Sequence, residues 1–522
     1  METEGEFDLS LAQLLAAFSL ATDLGLGQPM EHVLRSWRIA SRLGARVSLA
    51  SDEHVNLYYI TVLAWVGCVA DTPEVAAWFG DDIAFRRDSY GVELAGLQGL
   101  GFMLGHAGSG RPAWQRLRLA ATLAGTGGRD IQSGLMSHCL STSTLAERLG
   151  LGAQVRDPLR QFFTRWDGRG VPGGVGGEDI ALTVRLFQLA DVVEVHHRLG
   201  GRDRAVEVAR ARIGRQFDPV LVDAFCSAAP EVLSDSVEAL DCYQVIAADP
   251  ALQWPLTGQK LDHALEAVAD FTDLRSPCRA GHSQGVAALA GQAASVAGLP
   301  AAEVEAVRRA GFVHDIGLHG VPASVLEKAA PLTATESERM RMHAYYTERV
   351  LARPAALARL GAIAALTHER LDGSGYPRGL SGAAIPVTAR ILAAACAYRT
   401  MTEPRPHRPA LPAKQAAAEL RTEARAGRLA PSAVDAVLAA AGEAPRRRIG
   451  PAGLSSREIE VLVLIARGGS NRQVARTLGI SPKTAGTHIE RIYTKTGAST
   501  RATATFFALK HGFLDTLHPL DL

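Results

Sequence analysis

Residues 165–185 read RWDGRGVPGGVGGEDIALTVR and residues 370–390 read RLDGSGYPRGLSGAAIPVTAR. At a constant offset of 205 they share Asp167/Asp372, Gly168/Gly373, Gly170/Gly375, Pro172/Pro377, Gly174/Gly379, Gly177/Gly382, Ile180/Ile385, Thr183/Thr388 and Arg185/Arg390, nine identities in the nineteen positions from Asp167 to Arg185. Chance does not readily supply that, so the chain carries an internal duplication. The same offset pairs His138 with His343, while Thr22-Asp23-Leu24 and His32 match Thr272-Asp273-Leu274 and His282 at an offset of 250. The first copy therefore holds 45 extra residues, the difference between the two offsets, and the Gly-rich LAGLQGLGFMLGHAGSGRP is where most of them are expected. This organisation sets copy one at 8–228, copy two at 258–442, a Pro/Arg/Gly-rich linker EAPRRRIGPAG at 443–453 and a tail at 454–516. The stretch PEVLSDSVEALDCYQVIAADPALQWPLTG between the copies has no assigned place.

At 522 residues the chain is too long for one hydrophobic core. Hydrophobic residues make up 47% and charged residues 21%, a globular balance, and helical periodicity prevails over strand alternation. The expected class is all-α. No uninterrupted apolar run reaches the roughly 18 residues that span a bilayer. The start METEGEFDLS is acidic where a secretory signal would be basic. The expectation is a cytoplasmic protein without a membrane partner. Cys68, Cys139, Cys226, Cys242, Cys278 and Cys396 form no CxxC pair, which argues against a disulfide framework or a thiolate zinc site. The net charge of +1 is unevenly spread: between Pro451 and Gly512 nine Lys/Arg face three acids.

Copy two presents His282, then His314-Asp315, then His343 and His368, in segments of helical periodicity. Imidazole and carboxylate together suit iron, manganese or zinc, and ligands from separate helices can converge in a bundle core. The ordered set GHS, VHDIGLHGVP, RMH, THERLDGSGYPRGLSG and MTEPRPHRPA resembles the HD-GYP family of metal-dependent phosphohydrolases across nearly all of copy two. The resemblance implies a helical bundle whose metals activate water to cleave cyclic di-GMP. It places His282, His314, Asp315, His343 and His368 at ligand positions, with Asp315 and His314 at the catalytic centre if the domain is active, and Asp315 able to bridge two ions.

Copy two departs from that pattern in three places. Thr367-His368-Glu369 stands where the family has His-His-Glu, Leu318 where it has a phosphate-reaching lysine, and Cys396 where it has an aspartate ligand. Copy one keeps Asp191, but it has Phe162-Phe163 where the paired histidines would be and is read with Gly67-Cys68 at the His-Asp position, so it is not expected to hold the metal centre. The bland reading of both copies is an eroded enzyme retained as a scaffold, ligand sensor or dimerisation unit.

In the tail, Ser455 with Glu458 and Ser470 with Gln473 make capping boxes, and Ser481-Pro482 starts a third helix running to about Thr494. Ala485, Ile489 and Ile492 must face the other helices, so Thr487, Glu490, Arg491 and Thr494 project outward. A short helix, a Gly-containing turn and a capped helix with a polar outer face is the helix-turn-helix arrangement, and a fourth helix from Arg501 to about Lys510 completes it. LSSREIEVL, GGSNRQVA and LGISPKTAGTHIERIYTKTG resemble the LuxR-type helix-turn-helix domain along the whole tail. The resemblance implies double-stranded DNA as partner and a homodimer. Gly486 removes a side chain that often reaches bases there, so base reading is expected from Thr487, Glu490 and Arg491, and phosphate contacts from Asn471, Lys483, Thr484 and Lys495. The fold expected is two HD-GYP-like bundles in tandem followed by a four-helix LuxR-type domain. The function expected is a DNA-binding transcription regulator with sensory HD-GYP-like copies and a cyclic dinucleotide as possible ligand. The alternative is a metal-dependent cyclic di-GMP phosphodiesterase regulated or localised by its tail.

Overall fold

The computed structural model describes residues 9–126, 129–234, 241–443, 451–511 and 513. The first eight residues, the middle of the inter-copy segment, most of the 443–453 linker and the end of the 454–516 tail lie outside the described residues. The chain divides into two compact units, Met1–Glu443 and Ala444–Leu522. Among the described residues both are helical, and β pairing is confined to isolated bridges.

The duplication is visible element by element. His32–Arg46 and His282–Val296 each begin on the paired histidine, directly after a left-handed residue, Glu31 (φ 73°) or Gly281 (φ 75°). Ser51–Ala64 and Ala301–Val313 then start at the same offset of 250. The glycines shared by the quoted stretches follow from the loop's backbone. Gly168 and Gly373 are left-handed, at φ 72° and 81°. At Gly170 and Gly375 a Cβ would lie 2.4 Å from the Phe163 carbonyl oxygen and the Arg370 amide nitrogen, respectively.

The 250 offset also moves one alignment. Gly67 packs against His138 and Thr142 as Gly317 packs against His343 and Thr347, so Gly67 is the partner of Gly317. Ala64-Trp65, three residues earlier than Gly67-Cys68, therefore occupies the place of His314-Asp315. The insertion of 45 residues carries the additional helices Asp82–Ser89, Gly96–His106 and Ala113–Thr126.

The two copies are not independent bundles. One continuous core contains Leu14 and Phe18 of the first copy with Val268, Leu392 and Val437 of the second. A further core centred on Leu186, Phe187, Phe217 and Phe225 belongs to copy one alone. The inter-copy segment returns to the first helix: the Leu11 amide donates to the Trp254 carbonyl (2.9 Å) and the Leu256 amide to the Leu9 carbonyl (2.8 Å). One stretch, Ser51–Phe79, is long and apolar enough to cross a membrane by length and composition, which the sequence reading did not find; 61% of that window is buried inside the fold.

In the second unit the helices Ser456–Ala466, Asn471–Thr477, Pro482–Thr496 and Arg501–Lys510 surround Leu462, Ile465, Val474, Ala485, Ile492 and Ala504. Both expected capping boxes form, and Ser481 caps the third helix by accepting from the Thr484 amide at 3.1 Å.

Candidate metal centre and candidate nucleic-acid interface

Four elements of copy two bring its histidines together. His282 opens one helix, His314 ends Ala301–Val313, His343 lies inside Ala334–Val350, and His368 precedes the glycine-rich loop. Each of three rings is fixed through Nδ1: His314 donates to the Gly311 carbonyl (2.8 Å), His343 donates to the Met340 carbonyl (2.5 Å), and His282 Nδ1 lies 2.6 Å from Glu403 Oε2. That anchoring leaves Nε2 as the ligating nitrogen in all three, the arrangement in which an outer partner sets a ligand's tautomer. Their Nε2 atoms are buried without a hydrogen-bond partner, beside the Asp315 carboxylate that pairs with Arg279. Unsatisfied buried polar atoms are costly, and a divalent cation would satisfy the three nitrogens. The donor set fits a metal.

Asp315 is the hinge of the group. Its Oδ2 lies 3.0 Å from His314 Nε2 and 3.7 Å from His282 Nε2, while its Oδ1 lies 3.7 Å from His343 Nε2. Two groups able to hold an ion result, one of His282, His314 and Cys396, the other of Asp315, His343 and His368. Burial, reinforced by nearby cations including Arg279, keeps the imidazoles of His282, His314 and His368 well below their usual range, and burial brings His343 down to about 4. Neutral imidazole is the form that binds metal. Arg279 pairs with Asp315, and Arg405 lies 3.2 Å from Glu403, so two guanidinium groups border the cluster.

The departures from the family pattern acquire structural roles. The Thr367 hydroxyl donates to the Ala364 carbonyl at 2.7 Å. Leu318 packs in an apolar cluster with Val321 and Val325. Glu369 accepts from the Arg378 amide (2.7 Å) and the Leu380 amide (2.8 Å), holding the loop that carries Tyr376. Tyr376 stacks on the His368 ring at 4.9 Å between centroids. Cys396, counted from sequence as a lost ligand, lies beside His282 and His314. The sequence signal for it was present: Cys396 is the 205-offset partner of Asp191.

In copy one the equivalent space is filled by internal ion pairs. His32 Nε2 lies 3.1 Å from Asp191 Oδ1 and its Nδ1 2.6 Å from Glu194 Oε2, while Trp65 Nε1 donates to Asp191 at 3.0 Å. A separate group of Cys68, Asp71 and His138 also lies in copy one, where the Arg86 guanidinium, 2.7 Å from Asp71, supplies positive charge.

The second unit exposes Asn471, Lys483, Thr484, Thr487, Glu490 and Arg491, while Ala485, Ile489 and Ile492 are buried. Lys495 is exposed as well, and its Nζ donates to Glu458 Oε2 (2.7 Å) and to the Gly453 carbonyl (2.9 Å). Helical periodicity marked it as outward-facing and carried no information on that long-range reach.

Comparison with known proteins agrees with this geometry. Residues 266–432 match the HD domain family and residues 452–508 match the bacterial regulatory proteins of the luxR family. A 3'3'-cGAMP-specific phosphodiesterase of Vibrio cholerae serotype O1 is 29% identical over 415 residues, 78% of this chain and 90% of that protein. A cyclic di-GMP phosphodiesterase of Thermotoga maritima is 38% identical over 160 residues, 30% of this chain and 43% of that protein. The crystal structure of a cyclic GMP-AMP specific phosphodiesterase of Vibrio cholerae superimposes with a TM-score of 0.58 at 26% identity, covering 84% of this chain and 98% of that one. The chain thus joins an HD domain, within a fold shared with that phosphodiesterase, to a C-terminal regulatory domain of the bacterial luxR family.

Proposed function

We propose that this chain is a DNA-binding transcription regulator whose HD unit responds to a cyclic dinucleotide, acting as a homodimer on paired half-sites. The observation that carries the proposal is the face of helix Pro482–Thr496, where Lys483, Thr484, Thr487, Glu490 and Arg491 are exposed over a buried Ala485, Ile489 and Ile492. Arg491 suits guanine O6/N7 and Glu490 suits cytosine N4, while Asn471, Lys483 and Thr484 suit phosphates. Selection of bound fragments from a random duplex library by the full-length protein tests it. Enrichment of one paired motif supports the reading, and an unenriched library contradicts it.

A second reading, hydrolysis of the cyclic dinucleotide, is favoured by the position of Asp315 between the two ligand groups, its Oδ2 3.0 Å from His314 Nε2 and its Oδ1 3.7 Å from His343 Nε2. The copies and linker are assigned to 8–228, 258–442 and 443–453, and the tail to 454–516. His282, His314, Asp315, His343 and His368 would hold divalent iron, manganese or zinc, which lowers the pKa of bound water and polarises phosphate oxygens. Arg279 and Arg405 would neutralise phosphate charge beside it, a task the lysine of the family performs and Leu318 does not. Turnover of cyclic GMP-AMP by the wild type, abolished in His314→Ala, supports hydrolysis. Binding without turnover leaves the sensor alone.

A further inference from the structure

Cys396 sits on helix Val387–Thr402 at 5% exposure, and one ligand atom each from His282, His314 and Cys396 all lie within 4.8 Å of one another. Its sulfur lies at the long hydrogen-bond distance of 3.9 Å from Thr400 Oγ1. The Nε2 atoms of His282 and His314, both at 1% exposure, are aimed into the same space without partners. Three side chains from separate elements therefore converge, the two imidazole nitrogens without a hydrogen-bond partner and the sulfur with its long contact to Thr400. In copy one the matching residue is Asp191, whose carboxylate is consumed by His32 and Trp65.

We infer that Cys396 is a thiolate ligand, making this half of the centre a nitrogen and sulfur site that takes a thiophilic divalent cation such as zinc, in preference to manganese or magnesium. The inference rests on the metal reading above and specifies it. On coordination the S–H bond breaks, its proton leaves to solvent and a metal–sulfur bond forms, with no change in oxidation state. A thiolate carries the same charge as a carboxylate, so the exchange of oxygen for sulfur preserves the ligand charge of the site. What changes is softness, which favours zinc or ferrous iron over manganese and magnesium. Cys396 is the one cysteine in this group, so the site is a mixed nitrogen and sulfur one.

Full-length protein stripped of metal and titrated with cobalt(II) tests the inference, with metal counted by elemental analysis. The wild type is expected to show a near-ultraviolet sulfur-to-cobalt charge-transfer band. Cys396→Ser and Cys396→Asp are expected to lose that band while still binding cobalt through the histidines and Asp315. The zinc-over-manganese preference of Cys396→Asp is expected to fall by about tenfold or more. Cobalt bound by the wild type without the band, or a band that persists in Cys396→Ser, overturns ligation by Cys396 and leaves the metal reading standing. A wild type that binds neither cobalt nor zinc overturns both.

Discussion

Arg275 of the second copy and Asp82 of the first form a buried ion pair, Nη2 to Oδ2 at 3.2 Å, with side-chain exposures of 1% and 0%. Asp82 lies in the insertion that distinguishes copy one. It also accepts from Arg86 at 2.9 Å and from the Ala323 amide at 2.8 Å. Burial alone would raise its carboxyl, but Arg275 and Arg86 outweigh that and hold it below the usual range. Arg275 in turn donates to the Val321 carbonyl at 2.6 Å, a few residues beyond His314-Asp315. The insertion is thereby joined to the segment that follows the candidate ligands His314 and Asp315.

Removing Arg275 leaves Asp82 with Arg86 and the Ala323 amide, but takes the donor from the buried Val321 carbonyl. Arg275→Leu is expected to destabilise the HD unit by about 1–3 kcal/mol, measured by denaturant unfolding. A double-mutant cycle with Asp82→Leu should show a coupling well above zero, whereas additive effects would mean that the two charges are held independently.

Copy one's filled site gives a pH signature. Burial opposes charge on His32, but its bonds to Asp191 and Glu194 win and raise it to about 10; burial likewise opposes charge on Glu194, but His32 and Arg35 bring it down to about 2. The folded pKa of His32 lies above its ordinary value of 6.5, so its contribution is fully present below pH 6.5 and is lost as the pH rises through about 10. Glu194 runs the other way, contributing above pH 4.5 and losing that as the pH falls through about 2. The difference in unfolding free energy between wild type and His32→Gln should therefore shrink from pH 6.5 to 10. A difference that stays flat across that range would mean His32 is not held as an imidazolium.

Gly486 is replaceable. A Cβ there would meet only Asn471 Nδ2 at 3.9 Å, an ordinary contact. Gly486→Ala should stabilise the tail by about 0.5–1 kcal/mol through helix propensity, read by thermal unfolding. Gly486→Lys should tighten DNA binding, because its side chain emerges beside Lys483 and Thr487 on the exposed face. A loss of stability in Gly486→Ala would show that the glycine answers a packing need.

Lys483 and Lys495 should separate cleanly. Lys483→Ala is expected to weaken DNA binding and lower the salt slope of log Kobs by about 1. Lys495→Ala should leave that slope unchanged and cost about 1 kcal/mol or less of tail stability, since its pair with Glu458 is partly solvent-screened. Equal salt slopes for the two variants would return Lys495 to the phosphate contacts.

The features legible in sequence were the local ones. Ser455/Glu458, Ser470/Gln473 and Ser481-Pro482 determine helix starts within three or four residues, and the tail's helices form where those signals stand. The duplication was equally readable because the glycines of its loop answer backbone demands that no other residue meets. Long-range contacts left no such trace. The return of Trp254 and Leu256 to the first helix, the Arg275 to Asp82 pair and the tie from Lys495 to Glu458 join residues far apart in the chain, with no periodic signal. The three-residue shift that puts Ala64-Trp65 at the His-Asp position follows from extending the 250 offset, and the like packing of Gly67 and Gly317 fixes it. Cys396 is hard to read for a different reason: against a carboxylate pattern a cysteine reads as a departure, and its approach to His282 and His314 is set by packing between residues far apart in the chain.

The regulator account is tested most directly by the salt dependence of binding between the full-length protein and its selected duplex, followed by fluorescence anisotropy. The account predicts that log Kobs falls linearly with log salt and that Arg491→Ala loses about 1–3 kcal/mol of discrimination at the guanine it reads. Binding that ignores salt, or an Arg491→Ala variant that matches the wild type on every sequence, would contradict it.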